Sequence, residues 1–287
     1  MPELPEVETI RRDLEKKIIG KKIVAVLILQ KKSVHHSADK FKKVLIGDRI
    51  STINRRGKLL YLSFQKSLLF LLIHLKMTGQ LIYRQRDKIV AGGHSLGCID
   101  SELPNKFTRM VVKFSDGSEL FFNDLRRFGY LKLVTAEEKE DILRQSFGIE
   151  PLTADFKYQS FVRLFLKRKT TIKALLMNQK LIAGIGNIYA DEVCFCAAIR
   201  PNRRVDKISK SEKKKLIGCI SKILLLSIQH RGTTFNSYVD CDGHTGNFVH
   251  LLKVYGRDGK MCKRCGGIIK KIRVGGRGTH FCPKCQE

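Results

Sequence analysis

The feature that most constrains the fold is a pair of C-x2-C motifs near the end of the chain, formed by Cys262, Cys265, Cys282 and Cys285. Two residues between paired thiols let both sulfurs reach one ion, and four thiolates make a closed, structural zinc site. The sixteen residues between the pairs can form a hairpin that turns at Gly275 and Gly276. The spacing therefore predicts one structural zinc ion in a small ribbon over 250–287, with basic residues at the hairpin tip.

The other five cysteines are scattered along the chain, at Cys98, Cys194, Cys196, Cys219 and Cys241. No secretory signal precedes the first charged residues, so we expect a cytoplasmic protein. An odd cysteine count in such a protein argues against a disulfide framework. We therefore expect these five side chains to be reduced, partly buried small hydrophobes.

The charge of the chain indicates a polyanionic partner. Lys and Arg number 55 against 27 Asp and Glu, a formal net charge of +28. Basic surface neutralises phosphates and releases counterions, so nucleic acid is the first candidate and an anionic membrane surface the alternative. No apolar run reaches the roughly 18 residues of a membrane span. The longest candidate, SLLFLLIHL at 67–75, has the length of a strand and contains His74. We therefore predict no membrane partner.

Hydrophobic periodicity divides the chain into an α+β, multidomain organisation. Apolar residues at helical spacing predict a helix over 5–19, and short β-branched or aromatic runs follow up to Val134. This pattern indicates an antiparallel β-sandwich domain over 1–134 with a leading helix. A connector is expected over 135–158. A helical domain is expected over 159–249, with helices at 159–178, 187–198 and 209–229, and the zinc ribbon follows.

The first residues, MPELPE, are acidic in a basic protein. Removal of Met1 is expected because residue two is small, and it makes Pro2 a terminal secondary amine. An α-amino group has a pKa of about 7.7–8.0, so part of it is unprotonated and nucleophilic at neutral pH. The adjacent Glu3 can transfer protons. Glu6 and Glu8 fall in the first helical turn, where they can instead complement the helix dipole, the interpretation we prefer for Glu8.

A glycine-rich turn, GIGN, separates two predicted helices. Gly184 and Gly186 allow backbone amides to approach a phosphate, and Asn187 begins a helix whose positive end favours an anion. A simple helix–helix turn explains the same residues equally well. Nearby lysines favour the phosphate interpretation: Lys169, Lys173 and Lys180.

Five motifs in order carry a family resemblance: PELPEVETIRR, HLKMTG, DLRRFG at 124–129, GIGNIYADE and the four-cysteine module. Together they resemble bacterial formamidopyrimidine-DNA glycosylase over nearly the whole chain. That family excises oxidised purines, notably 8-oxoguanine and formamidopyrimidines, from duplex DNA and then cuts the strand by β,δ-elimination. The resemblance implies a helix–two-turn–helix in the helical domain, a monomer, and an association with the nucleoid.

The resemblance also implies catalytic roles. Pro2 would be the nucleophile at C1′ of the damaged nucleotide. Glu3 would act as acid and base at the sugar ring oxygen and on the opening ring. Glu6 matches a family carboxylate near the site, and Lys58 would contact phosphate and assist elimination.

Other matched positions imply DNA contacts. Three residues would bind phosphates around the lesion: His74, Asn187 and Arg277. Three more would fill the gap left by the flipped base: Met77, Arg126 and Phe128. Wedge side chains and a cation facing the orphan cytosine offset the cost of extrusion, although core packing is the alternative for Met77 and Phe128. Segment 233–246 corresponds to the loop that closes over the flipped base.

The chain departs from the family pattern at Phe107 and Arg200, where the family usually has histidine, and 84–106 is longer than usual. The departures affect local contacts rather than the reaction. Two alternatives remain: an endonuclease VIII-like glycosylase for oxidised pyrimidines, which typically begins PEGPE where this chain has Leu4, and a non-catalytic damaged-DNA-binding protein.

Overall fold

The computed structural model describes residues 1–86, 88–93, 103–233 and 247–287. The chain forms two compact units. The first comprises Met1–Leu143 and His230–Val249, and the second comprises Arg144–Gln229 and His250–Glu287. The segment expected to close over a flipped base, 233–246, lies outside the described residues except for Thr233. Among the described helices, none combines the length and the apolar character needed to cross a membrane.

The first unit opens with helix α1 (Leu4–Ile18), close to the expected bounds. Pro5 lies in the first turn, where its missing N–H is not needed. Glu3 and Glu6 form a capping box in which the Glu6 carboxylate accepts the Glu3 N–H at 2.9 Å. The apolar stripe of the helix is buried, from Val7 to Ile18, so α1 is fixed against the sheets behind it.

Two antiparallel sheets complete the first unit and confirm the predicted sandwich. One has the strand order β1 (Ile23–Ile28), β7 (Thr108–Phe114), β8 (Glu119–Asp124), β5 (Gly79–Gln85) and β6 (Lys88–Gly93). The other has the order β2 (Ile50–Arg56), β3 (Leu59–Phe64), β4 (Phe70–His74) and β9 (Tyr130–Val134). Helix α2 (Ala38–Leu45) connects β1 to β2.

The core of this unit is apolar and draws on both sheets and on α1. Leu60 and Leu62 from β3, Val112 from β7 and Phe122 from β8 belong to one buried cluster with Val7. Strands β2, β5 and β6 lie outside the apolar runs that predicted the other strands of this unit. The sequences of β2 and β5, ISTINRR and GQLIYRQ, place polar residues among the apolar ones, and that of β6, KIVAGG, ends in two glycines.

The remaining helices are α3 (Ala136–Ser146), α4 (Tyr158–Arg163), α5 (Ile172–Met177), α6 (Asn187–Ala197), α7 (Lys210–Gln229) and α8 (Phe248–Leu251). One helix was expected over 159–178, but two are present. Lys167 adopts a positive φ of 56°, which interrupts the helix. Thr171 then caps α5 by accepting the Ala174 N–H at 3.3 Å.

The last strands, β10 (Lys270–Val274) and β11 (Arg277–Phe281), form the predicted hairpin. Val274 pairs with Arg277 across a two-residue turn of Gly275 and Gly276. Both glycines have positive φ, 55° and 75°, as a tight type I′ connection requires. The exposed Arg277 therefore lies directly after the turn.

One expectation about the scattered cysteines is wrong. Cys196 on α6 and Cys219 on α7 form a disulfide with a Cα–Cα distance of 5.8 Å. Helices α6 and α7 pack side by side, which brings the two thiols together. Sequence separation alone could not reveal this pairing. Cys194 is a free thiol, as expected, and is fully buried; Cys98 and Cys241 lie outside the described residues.

Candidate active site and DNA-contact residues

The N-terminus of the first unit is enclosed by charged groups. Pro2 and Glu3 are buried. Burial lowers the pKa of the Met1 α-amino group below its usual 8.0; Glu3 and Glu6 oppose this shift, while Lys58 adds to it. All three side chains therefore lie close enough to act on this amine. When Met1 is removed, the Pro2 nitrogen becomes the terminal amine next to two carboxylates and a lysine.

Glu6 links the N-terminal turn to the start of the segment that was expected to form a loop over the base. One carboxylate oxygen accepts the Glu3 N–H, and the other accepts the Thr233 N–H at 2.8 Å and its hydroxyl at 3.0 Å. Gly232 has a φ of +83°, and a Cβ there would lie 2.8 Å from Glu6 Oε1. Glu6 is thus suited to position backbone rather than to transfer protons.

Lys58 occupies the turn between β2 and β3. Gly57 before it has a positive φ of 56°, which permits the two-residue connection. The Lys58 side chain is buried, and its charge contributes to lowering the pKa values of both the Met1 amine and His74. A single cation therefore acts on both the terminal amine and the histidine, an arrangement compatible with the predicted role of Lys58.

His74 ends β4 as a neutral imidazole. Its Nδ1 faces the Lys76 N–H at 3.0 Å and accepts it. Burial, with Lys76 and Lys58, lowers the pKa of His74 to about 3. Because Nδ1 is an acceptor, the ring proton resides on Nε2. His74 can therefore donate one hydrogen bond to a phosphate oxygen without carrying a charge.

The three residues expected to fill the gap form one cluster. The Arg126 guanidinium lies 4.7 Å from the centroid of the Phe128 ring and 3.1 Å from the Met77 sulfur. Met77 is 37% exposed and Phe128 is 53% exposed. The core-packing alternative for these two residues is therefore wrong. An exposed cluster of a ring, a thioether and a guanidinium is suited to insertion between bases.

Asp124 supports this cluster, although no role was predicted for it. Its fully buried carboxylate accepts the Gly129 N–H at 2.7 Å and the Arg126 N–H at 3.3 Å, and it accepts the Thr78 hydroxyl. A Cβ on Gly129 would lie 2.8 Å from the Phe122 ring. This role of Asp124 could have been predicted from its position directly before a tight loop that ends in glycine, because aspartates at such positions often accept hydrogen bonds from the backbone of the loop.

In the second unit, Asn187 and the tip of the hairpin lie together. Gly184 has a φ of +93°, and Asn187 follows as the first residue of α6. The Asn187 side-chain amide donates to Gly278 O at 3.2 Å, next to the exposed Arg277. The two proposed phosphate ligands of this unit are therefore neighbours. Lys173, however, is buried and cannot be one of the phosphate-facing lysines.

The four paired cysteines converge. Their sulfurs lie within 4.8 Å of one another, with Cys262 to Cys285 at 3.9 Å and Cys265 to Cys282 at 3.5 Å. Zn–S bonds of about 2.3 Å in a tetrahedron put sulfurs about 3.8 Å apart. The four thiolates thus fit one structural zinc ion.

The two departures from the family pattern have local structural roles. Arg200 donates to Gln286 O at 2.8 Å and lies 6.0 Å from the Phe281 ring centroid, so it ties α6 to the end of the zinc module. The Phe107 carbonyl accepts the Asp124 N–H at 2.9 Å. This is a backbone contact that does not depend on the side chain.

Comparison with protein families matches three parts of the chain. Residues 1–131 match the formamidopyrimidine-DNA glycosylase N-terminal domain, and residues 147–238 match the formamidopyrimidine-DNA glycosylase H2TH domain. Residues 259–287 match the zinc finger found in FPG and IleRS. The third match agrees with the sulfur geometry, and the module binds one structural zinc ion.

Curated relatives and solved structures agree over full length. Formamidopyrimidine-DNA glycosylases of Desulfitobacterium hafniense and Heliobacterium modesticaldum are 41% and 42% identical to this chain, with 100% of each chain covered. The Lactococcus lactis Fpg in complex with DNA containing an abasic site has a TM-score of 0.88 at 36% identity, with 99% of each chain covered. A Lactococcus lactis Fpg mutant with DNA containing Fapy-dG has a TM-score of 0.89 at 36% identity, with 100% of each covered. With its enclosed N-terminal proline, its helix–two-turn–helix and its four-thiolate module, the chain belongs to the formamidopyrimidine-DNA glycosylase family.

Proposed function

We propose that this protein excises oxidised purines, 8-oxoguanine and formamidopyrimidines, from duplex DNA and then cleaves the strand at the resulting abasic site. The observation that carries the proposal is the buried Pro2 and Glu3 at the N-terminus, with the charges of Glu3, Glu6 and Lys58 all acting on the terminal amine. The net charge of +28 supports a polyanionic substrate, and the protein would act where such DNA is found, at the nucleoid.

The chemistry starts at the Pro2 nitrogen once Met1 has been removed. Its lone pair attacks C1′ of the damaged nucleotide, the glycosidic C–N bond breaks, and the leaving base takes the proton that the proline nitrogen loses once it is bonded to C1′. Glu3 protonates the sugar ring oxygen, the C1′–O bond opens, and an iminium ion joins C1′ to the proline nitrogen. An α-amino group ordinarily has a pKa of about 7.7–8.0, so part of the terminal amine is unprotonated and able to attack at neutral pH.

Strand cleavage follows from the same intermediate. The iminium ion acidifies the C2′ proton, and its removal expels the 3′ phosphate; a second elimination expels the 5′ phosphate. Water then releases the amine from the sugar remnant. Lys58 is the cation close to the amine that can stabilise a departing phosphate, while Glu6 keeps the N-terminal turn in place through the Glu3 N–H.

The remaining site residues hold the duplex. His74 donates from Nε2, and Lys58, Asn187 and Arg277 offer further donors to phosphates around the lesion. The cluster of Met77, Arg126 and Phe128 occupies the space left by the extruded nucleotide, with the Arg126 guanidinium facing the orphan base. Because flipping costs a few kcal/mol, this insertion offsets a cost of similar size.

Borohydride trapping tests the proposal directly. The protein is incubated with duplex containing 8-oxoguanine opposite cytosine, reduced, and the adduct is mapped by mass spectrometry. We expect an adduct on the Pro2 nitrogen, and none on Pro2 in a matched preparation that retains Met1, since Pro2 is then an amide. An adduct only with an oxidised pyrimidine would indicate the endonuclease VIII-like activity. Tight binding with no adduct on either lesion would leave a damage-binding protein and refute catalysis.

A further inference from the structure

A lysine and an aspartate are buried together in the second unit. Lys173 on α5 is 1% exposed and Asp191 on α6 is 0% exposed, and Lys173 Nζ lies 2.7 Å from Asp191 Oδ1. Burying two charges is costly unless they are paired and well bonded. We therefore expect further hydrogen bonds to both side chains, in addition to their attraction for each other.

Both charged groups bond to strand β11. Lys173 Nζ donates to Gly278 O at 3.1 Å and to Thr279 Oγ1 at 2.8 Å. Asp191 Oδ2 accepts the His280 N–H at 2.8 Å. The pair thus holds three successive residues, 278–280, which come directly after Arg277.

These bonds extend to the proposed phosphate ligands themselves. The Thr279 hydroxyl donates to Arg277 O at 3.0 Å. Gly278 O, which accepts from Lys173, also accepts from the Asn187 side-chain amide at 3.2 Å. The Lys173 ammonium group therefore has two effects. It holds the backbone that follows Arg277, and it holds the Gly278 carbonyl that Asn187 contacts.

We infer that Lys173 and Asp191 are positioning residues that hold the backbone of Arg277 beside Asn187. The side chains of Arg277 and Asn187 can then contact phosphates around the lesion at the same time. The inference rests on the proposed phosphate contact of Arg277. Lys173 makes no direct contact with DNA in this arrangement, because its ammonium group is enclosed and bonded to protein. The charge of Lys173 stabilises the hairpin.

A double-mutant cycle separates this role from a direct contact or from general stabilisation. Affinity for an abasic-site duplex is measured for Lys173→Met, Arg277→Ala and the double variant. Each single variant should bind about tenfold more weakly, as expected for loss of a charge-assisted hydrogen bond. The double variant should bind no more weakly than Arg277→Ala alone, because Lys173 acts through Arg277. In the Arg277→Ala background, Lys173→Met should leave the salt dependence of binding unchanged.

Lys180→Met is the matched control, because it removes one charge from an exposed lysine near the same turn. Whatever loss it causes should add to that of Arg277→Ala. Zinc content and circular dichroism check that each variant is folded. If Lys173→Met does not fold, Thr279→Val replaces it, since it removes the hydroxyl that bonds to both Lys173 and Arg277 O.

The outcomes distinguish this inference from the proposed function. Losses that add in the double variant, or an unaffected Lys173→Met, overturn the positioning role while Arg277 stays a DNA ligand. An Arg277→Ala variant that binds normally with zinc retained overturns the proposed contact of Arg277 and this inference with it. Excision chemistry would still be judged independently, by the borohydride adduct at Pro2.

Discussion

Replacing Phe128 with alanine separates insertion into DNA from folding. The ring is 53% exposed, so its loss should change the free energy of unfolding by less than about 0.5 kcal/mol. Stacking of an aromatic ring on a base contributes about 1–3 kcal/mol. The contact between the Phe128 ring and the Arg126 guanidinium at 4.7 Å exists in the free protein. Losing this contact should therefore destabilise the free and the DNA-bound protein equally and leave the affinity unchanged. The variant should therefore lose about 5- to 150-fold in lesion excision.

The assay compares single-turnover excision of 8-oxoguanine with affinity for undamaged duplex. Phe128→Ala should impair excision far more than binding to undamaged DNA, because only the flipped state leaves a gap to fill. Leu125→Ala is the matched control, since Leu125 lies in the same loop and is 47% exposed but is not part of the cluster. Equal losses in excision and undamaged-duplex affinity, or an equal effect of Leu125→Ala, would refute the reasoning.

Three further predictions concern the supports of the site. Asp124→Asn weakens the bonds to Gly129, Arg126 and Thr78 by about 2 kcal/mol, so Tm should fall by about 4–8 °C; an unchanged Tm would show that the carboxylate does not hold the loop. Cys262→Ser removes a zinc ligand and should weaken duplex binding while the first unit stays folded, and normal binding would contradict the role of the hairpin. Burial opposes ionisation of Glu8, but hydrogen bonds from Arg11, Arg12 and Arg55 prevail and lower its pKa from 4.5 to about 2. Glu8 therefore stabilises the fold above pH 4.5, and this contribution is lost as the pH falls from 4.5 through about 2. Urea unfolding of Glu8→Gln between pH 5 and pH 3 should show a weaker pH dependence than the parent, and identical curves would contradict it.

The sequence predicted features that depend on local pattern. The apolar spacing of α1, the two glycines of the hairpin turn and the paired cysteines each carry their own signal, and the structure confirms them. The proximity of Pro2, Glu3 and Lys58 followed only from the family resemblance. No local pattern relates a terminal residue to a turn more than fifty residues away.

Other features depend on tertiary packing and could not be predicted. The sequence shows Lys173 as one of several lysines beside a glycine-rich turn, and only the fold shows that its ammonium group is enclosed with Asp191. Similarly, Met77 and Phe128 have the composition of core residues, and their exposure follows from the loops that carry them. The disulfide between Cys196 and Cys219 depends on how two helices pack.

The bond network of Asp124 has a consequence for engineering. Thr78, next to Met77, donates its hydroxyl to Asp124 and accepts the Arg126 N–H at 2.9 Å. The turn that carries the thioether and the loop that carries the guanidinium and the ring are therefore joined in the free protein, and the proposed insertion into DNA would cost little further conformational entropy. A chimaera that takes loop 125–129 from a relative with a different lesion preference should also need turn 75–78 and Asp124 from that relative, because hydrogen bonds join the three segments.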